Sequence, residues 1–143
     1  MTRQDDFDLS GLSDFTGRLL DLADVQFPKE SRRFMQQEGN KLRRITAAKA
    51  RRLVKRRSGK YLKGIKRGKV YRYKGQELAV RVYDSSPHAH LIEHGHRHVT
   101  KDGQEVGFVR GKKVFEKSRA EFADTFAQDC EDFVDEMLAR GLR

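Results

Sequence analysis

The sequence predicts an α+β fold, with a long basic N-terminal helix, a small antiparallel sheet carrying a short helix insertion, and an amphipathic C-terminal helix packed on the sheet. Three observations carry this expectation. From Pro28 to Arg57 no second proline intervenes and Gly39 is the only glycine, so nothing breaks a helix there. Between Val70 and Val109 apolar residues fall in short alternating runs separated by turn residues, the signature of strands. At the end of the chain Phe115, Phe122, Phe126, Phe133 and Met137 recur at intervals of 7, 4, 7 and 4, tracing one face of an α-helix.

In chain order, Leu12–Val25 suits a short helix, and Pro28 suits the first position of the next one. Met35, Leu42, Ile45 and Ala48 form its stripe, with Leu53 and Val54 near the end, Gly39 as a point of bending and Ser58-Gly59 as the stop. Val70–Tyr73 and Leu78–Tyr83 read as strands joined by Lys74-Gly75-Gln76, with Leu78, Val80 and Val82 on one sheet face. Pro87 to His94 reads as a short helix ended by Gly95. His98-Val99 and Val106–Val109 flank Asp102-Gly103, a hairpin signal. The expected core is Leu42, Ile45, Val80, Val82, Phe115, Phe122, Phe126 and Phe133. Residues 1–28 form an acidic extension with a short helix, and residues 29–143 a single domain.

A chain of 143 residues with 36% apolar and 36% charged residues buries a modest core under a large charged surface. Its net charge of +10 favours anionic partners and is segregated. Residues 1–28 hold six acids and two bases, residues 29–74 hold 19 Lys or Arg and two acids, and residues 114–139 hold eight acids and two bases. The single Cys130 forms no intrachain disulfide, which fits a reducing compartment, and its place by the apolar face of the last helix points to burial. The polar N-terminus has no signal-peptide character, and no apolar run is long enough to cross a bilayer, so assembly in the cytoplasm without a membrane partner is expected.

The basic tract admits three readings: an acidic face of a neighbouring subunit, phosphates of nucleic acid, or a solvated surface. The acidic C-terminal helix is the natural candidate for the first. The residues marked for a subunit interface are Arg43, Arg44, Arg51, Arg52, Lys55 and Arg56, together with His90, Glu93, His94, Gly95 and His96. No aromatic platform interrupts the basic residues, which argues against a dedicated RNA-recognition module. All five histidines lie between 88 and 98, and His90-Leu91-Ile92-Glu93-His94 matches the H-x-x-E-H arrangement of a zinc peptidase. Five histidines in so short a stretch produce that spacing by accident, and Gly95 ends the helix at once. A zinc peptidase is therefore a remote alternative, and no catalytic residue or cofactor is assigned. No GxxxxGK[ST] or GxSxG string is present.

Ala89-His90-Leu91-Ile92-Glu93-His94-Gly95 resembles the apolar-x-x-E-x-G signature of the gene-product-ten-like neck and tail-completion proteins of long-tailed bacteriophages. Ser86-Pro87-His88-Ala89 enters the short helix as in that family. Gly107-Phe108-Val109-Arg110-Gly111 and Val114-Phe115 resemble its approach to the last helix, and the similarity spans roughly residues 30–140. The histidine density and the acidic stretch Met1–Asp24 depart from the family. The resemblance implies a structural virion protein at the head–tail junction, forming a homo-oligomeric ring (hexamer or dodecamer). Its neighbours would be head-completion or portal-side proteins and tail-tube or terminator proteins, with DNA passing through the channel. A basic nucleic-acid-binding protein is the alternative.

Overall fold

The structure is a computed structural model that describes residues 14, 17, 18, 20–55, 59–75 and 77–141. A π-helical turn, Leu22–Gln26, runs into α1, Phe27–Leu53, with Pro28 in its first turn, where a missing N–H costs nothing. The helix stops earlier than Ser58-Gly59. Val54 adopts extended backbone and packs against the core, which turns the chain inward. Gly39 lies inside the continuous helix and its role is close approach. A Cβ there would come within 2.8 Å of the Arg67 side chain and 3.1 Å of Val80.

After the short helix α2, Lys60–Gly64, come β1 Ile65–Arg67, β2 Tyr71–Tyr73, β3 Glu77–Ala79 and β4 Val82–Asp84. Then follow α3 Ala89–His94, β5 Gly95–Val99, β6 Glu105–Arg110 and α4 Val114–Gly141. Among the described residues the strands form three separate two-stranded antiparallel ribbons, β1–β4, β2–β3 and β5–β6. The run Leu78–Tyr83 is accordingly two strands: its first half pairs with β2 across the expected turn, and its second half pairs with β1.

The C-terminal helix refines one expectation: α4 packs mainly along α1, while its first turn, at Val114 and Phe115, joins the cluster beside the β1–β4 ribbon. The two helices are antiparallel. Phe34 stacks on Phe133 at 4.5 Å between centroids, Phe27 tilts against Phe133 at 5.6 Å, and Phe122 lies 6.0 Å from Phe126. At the far end Leu22 is buried against Gly141, where a Cβ would crowd it at 2.7 Å. Leu22 and Phe27 therefore tie the acidic N-terminal region to the helical core. The buried apolar face of α4 needed a partner of matching length, and a helix of 27 residues supplies one where three-residue strands do not.

A second cluster sits where α1 ends and α4 begins, formed by Ala50, Tyr61, Ile65 and Val114, with Val82, Ile92 and Phe115 packed around it. Of the eight expected core residues, Phe122 is buried and the others are half-buried. Thr46 and Ser118 are fully buried and satisfy their hydroxyls by donating to the carbonyls of Leu42 and Val114, each at 2.7 Å.

Candidate assembly surface

The E-x-G string is a structural joint. Lys113 has a positive φ of 52°, and α4 begins at once after it. The first amides of a helix lack intrahelical partners. Here the Glu93 carboxylate supplies them: Phe115 N–H donates to Oε1 at 2.9 Å and Glu116 N–H donates to Oε2 at 3.0 Å. The backbone locks the same joint, since Lys112 N–H donates to the Ile92 carbonyl and Lys113 N–H to the Glu93 carbonyl. Gly95, at φ +87°, passes against the Val109 carbonyl and Gly111, leaving no room for a side chain. Both Glu93 oxygens are thus taken by backbone amides, so Glu93 is not placed to activate a metal-bound water as H-x-x-E-H would require. His90 and His94 are exposed. Among the described residues no group of three or more His, Cys, Asp or Glu is placed to hold a metal ion.

The opposite charges of the two long helices meet inside one chain. Lys41 Nζ lies 2.7 Å from Asp129 and 3.4 Å from Glu38, and Lys49 Nζ lies 2.6 Å from Glu121. Glu38 is buried on the α1–α4 seam, and that burial, reinforced by a hydrogen bond with Asp129, pushes its carboxyl up to about 7. The hydrogen bond from Lys41 holds Asp129 below the usual carboxylate range and raises Lys41 itself. Lys49 does the same to Glu121. Cys130 is half-buried beside this seam, and burial raises its thiol above its ordinary value. Part of the acid–base complementarity visible in the sequence is therefore used in folding.

What remains faces outward. Arg44, Arg51, Arg52 and Lys55 are exposed, and Arg43, also exposed, donates from Nε to the Ile65 carbonyl at 3.2 Å. Arg56 lies outside the described residues. At the opposite end of the charge scale, Asp124, Glu131 and Asp135 line the outer side of α4. The hairpin β5–β6 adds an apolar patch that sequence reasoning missed. Val99 of β5 is exposed beside it, and Val106 and Phe108, the latter 65% exposed, alternate onto one face of β6. Their spacing by two residues was the available signal. Between this hairpin and the end of α1 lies a groove of about 460 Å³ that brings Lys55 together with His88 and His96.

The family model described as "Bacteriophage HK97-gp10, putative tail-component" matches residues 13–95, more than half of the chain. The chain belongs to this family. Membership places the chain among phage tail components, structural proteins of the virion. The match runs through α1 and the first two ribbons and ends on Gly95, the glycine of the joint. Neither a curated protein nor a solved structure matches the chain. No helix among the described residues is long and apolar enough to cross a membrane.

Proposed function

We propose that this chain is a structural subunit of the phage neck or tail-completion region, assembling as a closed ring of identical copies that joins tail to head. Family membership over residues 13–95 carries the reading. A ring requires two different surfaces on each subunit that fit one another around the circle. The exposed cations of α1 and the acids on the outer side of α4 offer one such pair, and the bare apolar face of β5–β6 offers another contact. Of the residues marked from sequence, Arg44, Arg51 and Arg52 suit the first contact, Lys55 lies past the end of α1 in the adjoining groove, and Glu93 and Gly95 act by shaping the joint behind it. Its other partners would be head-completion or portal-side proteins and tail-tube or terminator proteins. In this role the domain of residues 29–143 builds the ring and the acidic residues before it form an extension.

Imaging of purified particles by cryo-electron microscopy tests the proposal. Density for this chain at the head-proximal end of the tail is the expected result. Its absence from purified particles overturns the assignment.

The same exposed cations favour a second reading, contact with DNA. It predicts that the logarithm of DNA affinity falls linearly with the logarithm of salt concentration, and that Arg51→Ala with Arg52→Ala reduces the slope.

A further inference from the structure

The groove at the end of α1 combines apolar and basic side chains. Its apolar lining comes from Leu62, Pro87, Leu91, Ile92 and Val109. Lys55, Arg110 and Lys112 bring positive charge to it, as does Lys60. Three residues along it hold buried polar atoms without a hydrogen-bond partner: Tyr61 Oη, Ser86 Oγ and His96 Nδ1. Burial, aided by the nearby negative charges of Asp84 and Glu93, keeps the Tyr61 phenol protonated and so able to donate. A volume of about 460 Å³ lies in the range of sites that take small ligands or a few side chains.

A second copy of this chain fits poorly there through its own basic surface, because cation would meet cation. One stretch of the chain has the complementary chemistry. Asp5-Asp6-Phe7-Asp8-Leu9-Ser10-Gly11-Leu12 carries three carboxylates and three large apolar side chains within eight residues. Elsewhere the acids of the chain sit largely on α4, where Phe122, Phe126 and Phe133 are already committed to α1.

The stretch cannot reach the groove of its own chain. Residues 14, 17, 18, 20 and 21 are helical and lead into Leu22, and from there the chain runs to Leu53 before the groove begins. That helical path is about 45 Å long. The residues from Phe7 to Asp14 span at most about 25 Å when extended. We propose that the acidic arm Asp5–Leu12 of one copy docks in the α1–α3–hairpin groove of the next, with Phe7, Leu9 and Leu12 on the apolar lining and the carboxylates facing Lys55, Arg110 and Lys112. The inference rests on the self-association proposed above.

Carbodiimide coupling, which joins carboxylates directly to lysine amines, tests it on the full-length chain. Natural-abundance and 15N-labelled protein are mixed before assembly, and the mass of the assembly is measured on the same sample. The expected cross-links join Asp5, Asp6 or Asp8 to Lys55, Lys60 or Lys112 in mixed-isotope pairs. Reversing the groove (Lys55→Glu with Lys112→Glu) or the arm (Asp5→Lys, Asp6→Lys and Asp8→Lys) weakens self-association by about tenfold, and mixing the two variants restores it. Assembly without these cross-links overturns the docking and leaves the ring standing. So do same-isotope pairs alone, or groove lysines coupled to acids of α4. A chain that stays monomeric overturns both proposals.

Discussion

The α1–α4 pair and the β5–β6 hairpin solve the same problem in opposite ways. Both present apolar side chains in a chain with a modest apolar fraction. The helices cover theirs with each other: Phe27, Phe34, Phe126 and Phe133 interleave, and Lys41 and Lys49 reach across to Asp129 and Glu121. The hairpin leaves its face bare. Every residue of β6 is exposed, and an isolated two-stranded ribbon is marginal in water. The joint of Glu93, Gly95 and Gly111 anchors it to the rest. One region is thus finished by folding, and the other stays open to solvent.

Four substitutions test this contrast, beginning with the largest expected effect. Phe133→Ala removes the ring shared by Phe27 and Phe34 and should cost about 3 kcal/mol in chemical denaturation. A loss under about 1 kcal/mol would mean that the aromatic ladder does not hold the helices together.

Glu93→Ala orphans two amides of α4 and should cost about 2 kcal/mol. Glu93→Gln keeps an acceptor and should recover part of that. Hydrogen exchange at Phe115 and Glu116 would report the uncapping directly.

Glu38→Gln addresses the seam. Its folded carboxyl titrates near 7 against an ordinary 4.5, so the folded state binds more protons between those values. Stability from this group is present below about 4.5 and is lost as pH rises through about 7. Asp129, held low by Lys41, works in the other direction, losing its contribution only as pH falls below the ordinary carboxylate range. The wild-type chain should lose on the order of 1 kcal/mol between pH 5 and pH 8. Glu38→Gln should flatten that slope, as thermal melts at the two pH values would show.

Phe108→Ser should change the stability of the dilute monomer by less than about 0.5 kcal/mol, because the side chain touches mostly water. Self-association in sedimentation velocity should weaken all the same. A large loss of monomer stability would place Phe108 in the core and erase the contrast.

Periodicity made the two long helices legible, and Asp102-Gly103 and Gly95 marked the hairpin and the end of α3. A helix face states that it must be covered but not by what, so α4 was assigned to the sheet when its main partner was α1. Strand pairing has the same ambiguity. The partner of Val82–Asp84 is Ile65–Arg67, hidden in a basic tract whose charges drown a three-residue alternation. At the surface, Arg44, Arg51, Arg52 and Lys55 stayed exposed, but sequence gave no means of telling them from Lys41 and Lys49, whose acids lie far along the chain. The role of Glu93 was masked for the same reason. Its carboxylate reaches amides at 115 and 116, and spacing within Ala89–Gly95 contains no trace of that contact.

The antiparallel pairing of α1 with α4 sets an order on synthesis. The helix that leaves the ribosome early, with Phe27 and Phe34 on its surface, meets its cover only when Phe126, Phe133 and Met137 have emerged at the other end of the chain. Until then the nascent chain carries an uncovered aromatic stripe flanked by a dense positive charge in α1. Like charge on neighbouring nascent chains opposes their association through that stripe until its cover arrives.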